Sequence, residues 1–177
     1  MVYHCYILRA SAVRFSGLDP VLRGGKSGLD RVSNLRYTCG MDKLLHGRVT
    51  AIALGTRSWA ESRAYRTNYN PEDLEGWCAI ASAELHKRLK AEEIPAEIHM
   101  WVSGFGECHC FCVVEDHVVD VTATQFKAFK LKTVVIMHKK EAEAFEYYTT
   151  TNVFTSAAQL RRFQKREHWP SNQIAFA

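Results

Sequence analysis

The chain has no run of about 18 apolar residues, which argues against a membrane-spanning helix. Its opening, MVYHCYILRA, lacks a basic stretch followed by a long apolar one, so no secretory signal is expected. Internal repeats and low-complexity tracts are also missing. Charge of one sign is not in large excess. The formal net charge of +4 permits an acidic partner without demanding one. With no secretory signal, the six cysteines, Cys5, Cys39, Cys78, Cys108, Cys110 and Cys112, are expected as reduced thiols in a cytoplasmic protein. Cys108, Cys110 and Cys112 are poor disulfide partners for one another. Residues two apart on a strand lie about 6–7 Å from each other.

What is present fits one folded domain spanning 1–177. The 177 residues can bury a core, and 47% apolar with 24% charged residues is ordinary for a globular chain. Residues 1–69 read as an N-terminal extension. Gly17, Pro20, Gly24, Gly25, Gly28 and Gly40 break its first part into short pieces. A weak helix is expected from Met41 to Tyr65, with Gly47 and Gly55 against it.

The expected catalytic core, about 70–137, is clearer. Asn70-Pro71-Glu72-Asp73 signals a turn or helix start. From Trp77 the chain has no glycine or proline until Pro95, and Cys78, Ala81, Ser82, Leu85 and Leu89 recur at helical spacing. Extended segments follow at Ala96–Val102, His109–Val114 and His117–Thr122, with a fourth at Thr133–Met137. A basic helix is expected over about 156–168.

Within this core a cysteine opens a helix, a histidine lies on a strand and an aspartate on the next. Free N–H groups and the positive dipole end at a helix start favour a thiolate, and the same amides can bind a developing oxyanion. Gly76 allows a tight turn and leaves room for a substrate backbone. If Glu115 and Asp116 form a two-residue turn, Val114 faces His117 and Phe111 faces Asp120. His109 and Asp120 then share one face as diagonal neighbours about 7–8 Å apart at the backbone. An odd loop would send Asp120 to the other face. The roles follow: Cys78 as nucleophile, His109 as base and acid, Asp120 as the group that orients the imidazole. Cys78 on the apolar stripe with Leu85 and Leu89 implies that its helix packs on the face carrying His109.

Gly76-Trp77-Cys78, then Glu93-Ile94-Pro95-Ala96, then His109, then Val119-Asp120-Val121-Thr122 resembles the core of the transglutaminase-like, papain-like cysteine enzyme superfamily. The resemblance runs from about Asn70 to Phe126, a third of the chain. Glu93 stands where that family usually has glycine, and Val121 where it often has proline. The resemblance implies an α+β fold, with the catalytic helix packed on a small antiparallel sheet. It also implies a cysteine hydrolase or acyl transferase acting on amide, thioester or ester bonds, with a protein or peptide as substrate. Family members include cross-linking transferases, peptidases, deamidases, peptide N-glycanases and acetyltransferases, and a shared core does not choose among them. Trp77, Gln125 and Trp59 are candidates for a second oxyanion donor or a substrate wall, since the family often uses Trp or Gln there.

Blander readings stand beside these. Cys78 alone reads as a buried structural cysteine. Asp116 rivals Asp120, but sits in the turn itself. Cys108, Cys110 and Cys112 invite a zinc site with His109 and His99, yet their spacing on a strand suits packing better, so no metal and no cofactor is expected. Arg161, Arg162, Lys165 and Arg166 read as a solvated helix face, which disfavours a nucleic-acid partner. The alternative function is a catalytically silent module binding a protein partner in the cleft.

Overall fold

The computed structural model describes residues 41–129 and 132–169. The expectations for residues 1–40, including the glycine-broken extension, Cys5 and Cys39, lie outside the described residues.

The described residues form an α+β unit. Helices α1 (Lys43–Arg66) and α2 (Cys78–Ala91) come first. Strands β1 (Glu97–Val102), β2 (Cys108–Val114), β3 (His117–Asp120) and β4 (Val135–His138) follow, then the short α3 (Lys139–Ala142). Strand β5 (Asn152–Phe154) and helix α4 (Ala157–Arg166) complete the order. One sheet runs β4-β3-β2-β1-β5, with every neighbouring pair antiparallel.

Helix α1 forms despite its two glycines. Its buried positions Val49, Ala53, Thr56, Arg57, Ala60 and Ala64 fall every three or four residues and make one face. The alanines let it approach α2 closely. Helix α2 ends in a Schellman arrangement, with the Ile94 N–H bonded to the Leu89 carbonyl and the Glu93 N–H to Lys90. Glu93 takes φ 56° there, the left-handed conformation that explains why glycine suits the position.

Alternation along the strands separates two cores. Ile98, Met100, Cys110, Cys112, Val114 and Val119 pack with α1, α2 and α4. Phe111, Val113, Val118 and Val135 pack on the other side with Phe129, Ala142 and Tyr148. The Glu115-Asp116 turn sets the β2–β3 register: Val114 pairs with His117, Val113 with Val118 and Cys112 with Val119. This is the even loop expected from the sequence.

The helix face is a correction. Helix α2 lies on the Cys110/Cys112 side, where the Cys112 thiol donates to the Ser82 carbonyl at 3.3 Å. The His109 ring lies instead among Phe111, Phe126, Tyr147 and Tyr148 on the opposite side. The apolar stripe fixes where the helix body packs. It does not constrain Cys78, the first residue of the helix, which meets β2 where the β3 pairing has already stopped at Cys112.

Candidate active site

Gly76, at φ 77°, turns the chain into α2, and Trp77 caps the helix without a side-chain bond. The first amide bonded within the helix is that of Ala81, to the Trp77 carbonyl. Cys78 therefore sits at the positive end of the helix dipole, among N–H groups of the first turn. The Cys110 thiol, the His109 ring and the Cys110 backbone act on its sulfur. Together they hold the Cys78 thiol well below its ordinary range, although burial opposes this.

His109 Nε2 donates to Asp120 Oδ2 at 2.8 Å. Nδ1 is the other ring nitrogen, and the Cys78 sulfur acts on the ring as well. Burial works against charge on His109, but the Asp120 carboxylate and then the Cys78 sulfur outweigh it and raise its pKa to about 10. Asp120 is likewise penalised by burial yet held below the ordinary carboxylate value by His109, by Thr122 and by Tyr148. Its Oδ1 accepts from the Thr122 amide at 2.7 Å and the Thr122 hydroxyl at 3.0 Å. Its Oδ2 accepts from the Tyr148 hydroxyl at 2.9 Å as well as from His109.

Of the three further candidates, the structure brings Gln125 to His109. Its Nε2 donates to the Thr122 carbonyl at 2.9 Å and lies 3.1 Å from His109 Nδ1. Trp77 is buried between the ring edges of Tyr69 and Trp59. Trp59 faces the Arg63 and Arg88 guanidinium groups at 5.8 and 5.9 Å. These two rings form an aromatic wall next to the start of α2.

Sequence reasoning missed Tyr148, which follows Asp120 by 28 residues in a short helical turn with no local signal. It also missed Arg57, a buried cation on α1 inside a polar-looking helix. Arg57 Nη1 donates to the Val121 carbonyl and the Thr124 hydroxyl, and Nη2 to the Pro71 and Glu72 carbonyls. It ties the segment before Cys78 to the segment after Asp120. The aromatic group beside His109 was equally invisible: Phe126 stacks on Tyr147 with ring centroids 3.7 Å apart, and both rings stand nearly perpendicular to the histidine ring.

Cys78, His109 and Asp120 are only 2%, 1% and 1% exposed. A groove of about 490 Å³, lined by His86, Lys90, Pro95, Glu97 and Glu115, lies at the opposite end of α2 from Cys78. Among the described residues, no group of three or more His, Cys, Asp or Glu side chains is arranged to hold a metal ion. No described helix is long and apolar enough to cross a membrane.

An α+β unit with a five-stranded antiparallel sheet and a buried His109–Asp120 hydrogen bond is the class of arrangement that fold and site define. No protein-family model, curated protein or solved structure matches the chain.

Proposed function

We propose that this protein is a cysteine-dependent hydrolase or acyl transferase with a transglutaminase-like, papain-like core, acting on an amide, thioester or ester carbonyl of a protein or peptide. One observation carries the reading. A buried histidine donates through Nε2 to a buried aspartate at 2.8 Å, and a cysteine that opens a helix feels that histidine's charge.

The chemistry follows from the protonation states. Cys78 as thiolate attacks the carbonyl carbon while the imidazolium of His109 stays charged beside Asp120. First-turn amides of α2 receive the developing oxyanion. His109 Nδ1 protonates the leaving group, and water or an amine then attacks the thioester with His109 as base. Cys78→Ala is expected to abolish turnover of acyl substrates while keeping the fold, since alanine suits the first turn. Retained turnover in that variant would overturn the mechanism.

The second reading is a catalytically silent module that binds a protein partner. The near-complete burial of all three residues favours it. The readings part on the reactivity of Cys78, which a silent module has no need to keep high.

A further inference from the structure

His109 is held at both ring nitrogens by one short segment. Asp120 Oδ2 lies 2.8 Å from its Nε2, and Gln125 Nε2 lies 3.1 Å from its Nδ1. Thr122 decides which way the Gln125 amide faces. Gln125 Nε2 sits 2.9 Å from the Thr122 carbonyl, and a carbonyl can only accept, so the NH2 end is turned toward it. The Thr122 hydroxyl lies 3.3 Å from the same nitrogen, gives its proton to Asp120 Oδ1 and is left as an acceptor. The remaining N–H of Gln125 meets His109. Nδ1 can accept it only through a lone pair, so with Gln125 in place the ring is neutral, its proton on Nε2 toward Asp120.

We propose that Gln125 is a latch on His109: bound at the Nδ1 lone pair, its amide holds the site as thiol and neutral imidazole, and its departure yields the thiolate–imidazolium pair. This rests on the reading of Cys78 as nucleophile and His109 as its base. On release the S–H bond of Cys78 breaks, its proton forms the N–H bond at Nδ1, and the electron pair stays on sulfur. Nε2 keeps its proton toward Asp120. The latched and released states hold the same number of protons, so pH does not choose between them. The position of Gln125 does, which makes it a positioning residue acting through His109.

The surroundings suit a movable latch. His109, Asp120 and Thr122 are buried, whereas Gln125 is half-buried, at the end of the short turn Ala123–Gln125 and two residues before the exposed Lys127. Its amide can turn to solvent while Asp120 and Thr122 stay fixed. Phe111 and Phe126 pack on the imidazole, with centroids 6.0 and 4.7 Å away, and keep the ring from following.

The test is the pH profile of Cys78 alkylation by iodoacetamide in the full-length protein, read by peptide mass, for wild type, Gln125→Met and Gln125→Glu. Methionine keeps the length of the side chain and removes the donor. Glutamate keeps the shape and offers Nδ1 an acceptor in place of a donor. A donor to the neutral ring disfavours its charged form, so losing it favours the ion pair. Alkylation at mildly acidic and neutral pH is expected to rise about two- to tenfold in Gln125→Met, the worth of one hydrogen bond. In both variants the pH at which His109 loses its proton is expected to move up, by about one unit or less. A residue that merely fills space would move neither. Unchanged or slower alkylation in both variants would overturn the latch. If wild type is then still alkylated fast in mild acid, the nucleophile reading stands. If all three proteins react only around the ordinary thiol range, that reading falls too.

Discussion

Four donors converge on the two oxygens of Asp120: the Thr122 amide and hydroxyl, Tyr148 and His109. That convergence decides what Asp120→Asn does. With its amide oxygen kept on Thr122, the new NH2 group faces His109 Nε2. The ring then accepts at Nε2 and carries its proton on Nδ1, the wrong tautomer for taking a proton from Cys78. Turnover is expected to fall about a thousandfold or more. Tyr148 must turn to accept, so stability drops by on the order of 1–3 kcal/mol, which chemical denaturation measures. The stability of the pair also has a defined pH window. Asp120 is held below 3.8, so its contribution is present above that value and is lost as pH falls through its folded pKa. His109 is raised from 6.5 to about 10, so its contribution is complete below 6.5 and is lost as pH rises through about 10. Thermal melting across pH should show both flanks, and the alkaline one should shrink in Asp120→Asn.

At the scale of elements, the end of α2 carries a prediction of its own. Glu93 occupies a left-handed position that favours glycine. Glu93→Gly relieves that strain while the Schellman hydrogen bonds of Glu93 and Ile94 persist. A gain of about 0.5–1 kcal/mol is expected, read from the denaturation midpoint. The hairpin was the most legible element, because the parity of the Glu115-Asp116 loop alone decides whether His109 and Asp120 share a face. The face chosen by α2 was misread, since periodicity reports the middle of a helix and Cys78 stands at its end. Strand β5 was not seen at all: three residues, Asn152–Phe154, are too few for alternation to show. Helix α1 was legible only weakly. Its buried face includes Thr56 and Arg57, whose burial depends on partners from distant segments.

At the scale of the whole described unit, Arg57 joins α1, the turn at Pro71-Glu72 and the segment Val121–Thr124. Replacing it by leucine leaves the buried Val121 carbonyl, the Thr124 hydroxyl and the half-buried Pro71 carbonyl without this donor. We expect a loss of more than about 3 kcal/mol in stability, with the cysteine and aspartate segments loosened together. Hydrogen exchange should therefore rise at residues 71–78 and 121–125 in the same variant. If the two segments respond separately, Arg57 is not the tie between them. The central claim, a Cys78 thiolate paired with a His109 imidazolium, is tested most directly by the pH dependence of Cys78 alkylation. Iodoacetamide is applied to the full-length protein, and modification of Cys78 is followed by peptide mass. The account predicts fast alkylation already at mildly acidic pH, holding level until His109 loses its proton near pH 10. A rate that stays low in acid and climbs only around pH 9.0, the ordinary thiol value, would contradict it.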